Sequence, residues 1–261
     1  MPTIPATTAN QSTDKALAII ELLSYSGQPL RLNEISSRLG FNNSTALRFL
    51  NSLENNGYVY KNADTGRYSM TFKLCSLASY ISSSTDMIGI ASSPIRELSY
   101  DLGECVCLTI PQDYSVVYVF VSDGPNHILQ STKRIGRVAP MHCTAAGKVM
   151  LTDYTEAQID EMIARKGLTK FTEYTITTKE QLMEELARIR SRGYAFDDEE
   201  CDIGTRCIAF PVRDYTGHII ASISVTGHSG RMTDEYFAAH MDRIRQCAES
   251  ISTRFGYQPS H

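Results

Sequence analysis

The chain has 261 residues, of which 42% are hydrophobic and 21% are charged. This length fits a small domain joined to a medium-sized one, and this composition can bury a core, which excludes wholesale disorder. The formal net charge of −4 argues against a protein that is basic throughout.

The same composition bears on location and on metal chemistry. No apolar run approaches the roughly 18–20 residues of a membrane span, and residues 1–10 lack the basic and apolar regions of a signal peptide, so we expect a cytoplasmic protein. The seven cysteines are scattered and none forms a C-x-x-C pair. We therefore expect neither a disulfide framework nor a metal site or other cofactor.

The charge is unevenly distributed along the chain. Residues 1–85 hold seven basic and five acidic side chains, whereas residues 86–261 hold 18 basic and 24 acidic ones. This asymmetry suggests two domains with different partners, although ordinary scatter would also produce it.

Two helices are predicted at the start of the chain. After a polar leader, residues 1–13, Asp14 is placed to cap a first helix. The apolar stripe of this helix is Leu17, Ile20 and Leu23. A second helix spans Leu32–Leu39 and ends at Gly40, a residue type that favours the helix C-terminus.

A third helix and a hairpin follow. The helix begins near Asn42 and stops at Asn56, and its inward-facing residues are Ala46, Phe49, Leu50 and Leu53. Two β-prone runs, residues 58–61 and 67–70, flank an Asp-Thr-Gly turn and predict a hairpin. This order of elements, three helices with a tight turn followed by a hairpin, is typical of a winged helix-turn-helix.

The exposed face of the third helix suits contact with DNA. Its polar side chains are Asn43, Ser44, Thr45, Arg48, Asn51 and Ser52. The N-terminal end of such a helix enters the major groove, so Ser44 and Thr45, with free amides, suit phosphates. Arg48 suits guanine and Asn51 suits adenine. Any solvated helix carries such residues, and it is the whole order of elements that favours DNA binding.

Three other residues of this region are relevant to DNA. Lys61 and Arg67 on the hairpin suit the DNA backbone or the minor groove. Leu47 falls near the exposed side of the third helix, where it either touches a thymine methyl or packs on the neighbouring helix. We favour packing for Leu47.

Helical signals continue in the rest of the chain. Residues 71–85 are predicted to form a linker helix, and Met87–Leu102 a further helix that Pro94 is expected to bend. Capping boxes at Thr155 and Thr178 predict two helices that end at Gly167 and Gly193. The C-terminal helix carries Phe237, Met241, Ile244, Ala248, Ile251 and Phe255, which face a core or a partner subunit, and we favour the core.

Strand-like runs alternate irregularly with these helices. They lie at residues 105–110, 116–121, 128–132, 194–196, 207–212 and 218–225. Adjacent strands and hairpins, without strict alternation with helices, predict an α+β fold with a mainly antiparallel sheet.

Three segments invite chemical interpretations. Ala146-Gly147-Lys148 fails as a phosphate loop because position 142 is His and Val149 follows the Lys, although the small residues at this helix start can accept an anion. His142-Cys143 suggests a base beside a nucleophile. Asp197–Glu200 suggests a metal or acid–base site, or simply a solvated turn. Without an oxyanion signature, we do not expect an enzyme.

The order of these motifs resembles the IclR family of bacterial transcriptional regulators from about Lys15 onward. The segments that carry the resemblance are Asn43–Leu50, Gly57–Val59, Thr144–Leu151, Gly193–Glu200, Gly204–Ala209 and Ser222–Gly227. Residues 134–137 and 207–212 are most similar to the branch that regulates pectin and keto-deoxysugar breakdown.

The resemblance implies a domain organisation and a ligand site. The domains would be a winged helix-turn-helix at residues 14–70, a linker helix at 71–85, and a GAF-like effector-binding and oligomerisation domain at 86–261. The effector would contact Ala145, Ala146, Asp197, Cys207, Ser224 and Thr226. Helix-start amides, hydroxyls and a thiol would donate to a carboxylate, and an ionised Asp197 would accept from a ligand hydroxyl. Strand packing is the alternative for Cys207 and Ser224.

The resemblance therefore predicts a ligand-responsive regulator, a repressor that binds a near-palindromic operator in double-stranded DNA. It would act as a homodimer, or as dimers paired into a tetramer, and sense a small oxo-acid or sugar acid. One alternative is a DNA-tethered metal sensor or enzyme of small carboxylates, and another is an assembly module with an empty pocket.

Overall fold

The chain divides into two compact units, residues 1–85 and 86–261. A computed structural model describes residues 11–77 of the first unit, and residues 86–125 and 134–258 of the second.

The first unit combines helices with a small sheet. Its elements are α1 (Gln11–Tyr25), β1 (Leu30–Arg31), α2 (Leu32–Leu39), α3 (Asn43–Asn55), β2 (Val59–Lys61) and β3 (Arg67–Met70). The strands pair antiparallel in the order β1–β3–β2. The winged helix-turn-helix prediction is confirmed. Strand β1 was missed because a two-residue strand is too short to show alternation.

Helix α1 differs from its prediction in two respects. It begins at Gln11, so residues 11–13 are helical rather than part of a leader, and Asp14 lies in its first turn instead of capping it. The buried residues of α1 are Ile19 and Leu23, whereas Leu17 is 51% exposed. Contact with the other helices, rather than the hydrophobicity of single residues, selects the inward face.

Helices α2 and α3 follow their predictions. Gly40 ends α2 in the left-handed conformation, with φ of 67°, which glycine adopts without strain. The four inward-facing residues predicted for α3, Ala46, Phe49, Leu50 and Leu53, are all buried. Phe49, Leu50 and Leu53 pack against Ile19, Ile35 and Tyr68 in the core of this unit.

Two predicted elements extend beyond the described residues. Residues 73–77 are helical, as expected for the start of a linker helix. The remainder of that linker, and the strand predicted at 128–132, lie outside the described residues.

The second unit is an α+β domain. Its elements are α4 (Met87–Leu102), β4 (Cys105–Gln112), β5 (Ser115–Ser122), β6 (Val138–Pro140), α5 (Ala145–Leu151), α6 (Glu156–Lys166), α7 (Lys179–Arg192), β7 (Ala195–Asp198), β8 (Thr205–Arg213), β9 (Ile219–His228) and α8 (Asp234–Arg254). The strands form one antiparallel sheet in the order β6–β5–β4–β9–β8–β7, which confirms the predicted sheet type. No helix in the described parts of the chain is long and apolar enough to span a membrane.

Each face of the sheet has its own core. On one face, α4 and α8 pack against Leu108, Ile208 and Ile223, so the apolar side of α8 faces the core as predicted. On the other face, α5, α6 and α7 pack against Val116, Ala195 and Ala209. Because successive strand residues point to opposite faces, β9 contributes alternately to the two sides.

Pro94 lies inside helix α4, where it cannot donate to the carbonyl of Ile90 because proline has no N–H. The guanidinium of Arg254, at the end of α8, donates to that carbonyl instead, at 3.1 Å. A side chain from the neighbouring helix therefore replaces the missing backbone bond.

Helix α5 approaches the preceding segment too closely for a side chain at Gly147. A Cβ at this position would lie 2.3 Å from the Cα of Met141 and 2.5 Å from its carbonyl oxygen. The glycine thus sets how near α5 lies to the loop that precedes it.

We expect Gly147→Ala to destabilise the second unit by about 2 kcal/mol or more, because backbone atoms must move to admit the methyl group. Gly89→Ala is the matched control, since Gly89 holds the same third position of a helix but its Cβ would meet only the side chain of Asp86 and no backbone atom. Thermal unfolding followed by circular dichroism measures both, as the chain has no tryptophan. Equal midpoints for the two variants would contradict this account.

Candidate DNA-binding face and ligand cavity

The start of helix α3 is fixed by Asn42. The Asn42 Oδ1 accepts hydrogen bonds from the Thr45 amide at 2.7 Å and from the Ser44 Oγ at 2.9 Å. The prediction of a free amide at Thr45 was therefore wrong, because the N-cap side chain occupies that donor.

One exposed side of α3 brings the predicted base-reading residues together. Ser44, Arg48 and Asn51 line a shallow depression along the helix, and Leu47 and Ser52 lie in the same surface. Leu47 is 36% exposed there, which does not support the packing role that we favoured. The Arg48 guanidinium lies 5.0 Å from the ring centre of Phe49, so its stem rests on the edge of the core.

Asn43 is engaged within the protein. The hydroxyl of Ser36, on α2, donates to the Asn43 Oδ1 at 2.5 Å. This bond fixes the first residue of α3 against α2, which gives Asn43 a positioning contact in the turn between the two helices.

The two basic residues of the wing have different environments. Lys61 is exposed, and its ammonium lies 5.4 Å from the ring centre of Tyr68. The Arg67 guanidinium instead donates to the Pro29 carbonyl at 2.8 Å and to Glu34 at 3.4 Å. These bonds tie the hairpin to the start of α2 through one nitrogen of a guanidinium that stays partly exposed.

A cavity of about 270 Å³ opens in the second unit between helix α5 and the sheet. Its wall includes all six positions that the resemblance implied, namely Ala145, Ala146, Asp197, Cys207, Ser224 and Thr226. These residues come from four separate elements of the chain.

Strand register explains why Asp197, Cys207 and Thr226 lie side by side on the floor of the cavity. Asp197 of β7 pairs with Cys207 of β8, and Cys207 pairs with Thr226 of β9. Directly paired residues share one face of a sheet, and Ser224 shares it too because it lies two residues from Thr226. The opposite face of the same strands carries Ile208 and Val225.

The floor of the cavity is polar and bonded. The Thr226 hydroxyl donates to the Cys207 sulfur at 3.2 Å. Burial, followed by the charge of Asp197, raises the pKa of the Cys207 thiol well above its ordinary range, so the sulfur stays protonated. The protonated thiol and the Ser224 hydroxyl can donate hydrogen bonds to a ligand, and the Thr226 oxygen can accept one.

Asp197 is the acidic group of this floor. Its Oδ1 accepts from the amides of Glu200 at 2.9 Å and Cys201 at 3.3 Å. Burial, together with the charge of Glu200, raises the pKa of Asp197 to about 7. Near neutral pH, this carboxyl can therefore either accept a hydrogen bond or donate one.

The opposite wall is the first turn of α5. Thr144 caps the helix, since its Oγ1 accepts from the Gly147 amide at 3.2 Å and donates to the Pro140 carbonyl at 2.7 Å. The amides of Ala145 and Ala146 precede Gly147 in the first turn, where helical geometry provides no acceptor inside the helix.

Lys148, from the failed phosphate-loop motif, is buried in an ion pair with Glu200. The acidic run 197–200 is therefore not the solvated turn that we considered. Asp197 and Glu200 are buried, while Asp198 pairs with Arg206.

The suggested pair of His142 and Cys143 does not form. The His142 Nε2 lies 3.0 Å from the carbonyl of Thr169. A side-chain hydrogen bond with Cys201, followed by burial, raises the pKa of Cys143, which is the opposite of an activated nucleophile. Within the described residues, no group of three His, Cys, Asp or Glu side chains could hold a metal ion.

Sequence reasoning missed several residues of the cavity wall. Tyr118 of β5 and the arginines Arg134 and Arg137 lie in it, as does Cys201. Arg134 and Arg137 stood in a motif used for the resemblance, but no pattern connected them with Asp197. Two basic residues just before the small-residue start of α5 were the available signal.

Comparison with known proteins identifies both units. Residues 12–63 match the IclR helix-turn-helix domain, and residues 79–253 match the C-terminal domain of the bacterial transcriptional regulator IclR. The regulator XynR of Escherichia coli is 32% identical over 95% of this chain and 98% of its own length. The transcriptional repressor IclR of the same organism is 29% identical over 97% of this chain and 93% of its own.

Solved structures agree with these matches. The crystal structure of the repressor BlcR from Agobacterium tumefaciens superposes with a TM-score of 0.77 at 25% identity, covering 95% of this chain and 98% of that one. The helix-turn-helix unit, the antiparallel domain that follows it in the chain and the relatives matched along nearly their full length all indicate the same family. The chain belongs to the IclR family of bacterial transcriptional regulators and is not an enzyme.

Proposed function

We propose that this protein is a ligand-responsive repressor that reads operator DNA with helix α3. The support is the exposed surface that Ser44, Arg48 and Asn51 share on a winged helix-turn-helix. With the start of α3 in the major groove, Arg48 donates to guanine and Asn51 bonds adenine. The amide of Ser44 and the hydroxyl of Thr45 contact phosphates, because Asn42 already accepts from the Ser44 hydroxyl and the Thr45 amide.

Other predicted DNA-binding residues take different roles in this proposal. Lys61 contacts the DNA backbone from the wing. Asn43 and Arg67 act indirectly, because their bonds to Ser36 and Glu34 orient the recognition helix and the hairpin.

We further propose that the cavity of the second unit holds the effector, a small oxo-acid or sugar acid. The observation that carries this proposal is the meeting of six residues from α5, β7, β8 and β9 in one cavity. The amides of Ala145 and Ala146, the Ser224 hydroxyl and the Cys207 thiol donate to ligand oxygens. The Thr226 hydroxyl donates to Cys207 and accepts from a ligand hydroxyl. Asp197 bonds a hydroxyl or carbonyl oxygen according to its protonation.

The two activities are coupled in a homodimer, or in a pair of dimers, acting in the cytoplasm. A symmetric dimer matches a near-palindromic operator, since half-sites mirror the symmetry of the protein. The effector shifts the balance between DNA-competent and incompetent arrangements only as far as it prefers one of them. Relatives named as repressors support repression rather than activation.

Arg48→Ala should weaken specific operator binding by about 1–3 kcal/mol, because a bidentate contact with guanine is lost. An operator selected by the wild-type protein from random-sequence duplexes serves as the probe in gel-shift titrations. Acids of both classes are then tested for release of that operator.

Arg188→Ala is the control for the loss of an arginine, since Arg188 is exposed on α7 in the second unit and should leave affinity unchanged. Wild-type affinity should also fall as salt rises, because phosphate contacts release counterions. Operator binding that is insensitive to salt, or to the loss of Arg48, would count against this reading of α3.

Asp197→Asn should change how stability depends on pH. With a pKa of about 7 against an ordinary 3.8, the folded state retains a proton that the unfolded chain releases as pH rises above 4. Wild-type stability therefore falls between about pH 4 and 7, by roughly 1–4 kcal/mol for a shift of this size. Asparagine keeps an acceptor oxygen for Glu200 and Cys201 but carries no charge.

Urea unfolding at several pH values measures this effect. The unfolding free energy of the wild type, relative to that of Asp197→Asn, should fall between about pH 4 and 7 and level off above that range. Asp198→Asn, at the neighbouring position, controls for the loss of an exposed carboxylate and its ion pair with Arg206. A difference between wild type and Asp197→Asn that stays constant over this range would show that Asp197 is not desolvated.

A further inference from the structure

The arginine at position 134 is an unusual group in the wall of the cavity. Its side chain is half-buried and lines the cavity together with the more exposed Arg137. Two carboxylates, Asp197 and Asp202, line the same cavity. Over the described ranges of the chain, neither carboxylate forms an ion pair with Arg134, and no other acidic side chain does so.

A guanidinium that lines a cavity, with no ion-pair partner among the described residues, is suited to binding an anion. Removing a charge from water is unfavourable unless a partner compensates for it. The planar fork of arginine matches a carboxylate with two parallel hydrogen bonds. The thiol of Cys207 and the phenol of Tyr118 lie within the influence of the Arg134 charge, but both are protonated and neither neutralises it.

The position of Arg134 in the fold separates it from Asp197. Arg134 lies between β5 and β6, and the amide of Arg137 donates to its carbonyl at 2.8 Å in a tight turn. Strands β6 and β5 form one edge of the sheet, whereas Asp197 lies on β7 at the other edge. The cavity thus has a cationic side and a side with a titratable acid, with Cys207, Ser224 and Thr226 on the strands between them.

We propose that Arg134 binds the carboxylate of the effector, and that the effector is a polyhydroxylated acid of about four to six carbons. Its carboxylate pairs with Arg134, and its hydroxyl or oxo groups extend along the floor towards Asp197. This inference rests on the proposed ligand site and selects the longer of its two acid classes. A cavity of about 270 Å³ leaves space for such a chain.

The test compares each acid with its uncharged counterpart. Aldonates of four to six carbons, the matching alditols, and the short oxo-acids glyoxylate and pyruvate are titrated into the full-length protein by calorimetry. We expect at least one aldonate to bind more tightly than its alditol and than both short acids. Arg134→Gln should weaken the binding of that aldonate by roughly 10- to 100-fold, as expected for the loss of a charged hydrogen bond. The affinity for the matching alditol should not change.

Two further variants separate a ligand contact from a structural role. Arg134→Lys keeps the positive charge but lacks the planar fork of arginine. Its affinity for the aldonate should lie between those of the wild type and Arg134→Gln. Arg188→Gln removes an exposed arginine from α7 and should bind the aldonate as the wild type does. In the absence of any acid, Arg134→Gln should bind operator DNA with wild-type affinity.

Several results would overturn the proposal. They are an aldonate and alditol that bind equally, a preference that survives in Arg134→Gln, a short oxo-acid that binds more tightly than every aldonate, and a panel in which no acid binds. Failure of the regulator function is a separate result, since operator binding by the wild type is measured without any acid.

Discussion

The ligand cavity depends on the register of three neighbouring strands. Because side chains alternate along a strand, pairing Asp197 with Cys207 and Cys207 with Thr226 places a carboxyl, a thiol and a hydroxyl in one row. The intervening residues, Ile208 and Val225, then enter the apolar core on the other face. A shift by one residue would exchange the two sets and bury the polar row among apolar helices. The apolar core therefore enforces the position of the polar site.

The first unit was largely predictable because its signals are local. Gly40 ends a helix through its own backbone conformation, and Asn42 caps the next helix through residues three positions away. Sequence patterns were least informative where contacts between distant residues determine the surroundings of a side chain. Leu17 is exposed although it is apolar, since the inward face of α1 is set by the helices it packs on. Arg67 is bonded to Pro29, 38 residues earlier in the chain, which no local pattern indicates.

The second unit shows the same difference between local signals, which the sequence reveals, and long-range contacts, which it does not. Capping at Thr155 and Thr178 follows the sequence. The ion pair between Lys148 and Glu200 joins residues 52 positions apart, so the acidic run appeared to be a solvated turn. The six ligand positions came from resemblance to a family, and their meeting in one cavity requires strand pairing that the sequence does not specify. Arg134 escaped notice for that reason, since only the fold places it in the same wall as Cys207.

The buried ion pair between Lys148 and Glu200 also joins two segments of the chain that contribute to the ligand cavity. Lys148 belongs to α5, whose first turn faces the ligand, and Glu200 follows Asp197 in the segment that forms the floor. Separating a buried lysine from its carboxylate would leave two uncompensated charges, which is strongly unfavourable. The ion pair therefore ties helix α5 to the segment that follows Asp197. A ligand that contacts both the first turn of α5 and Asp197 touches two segments that this pair joins.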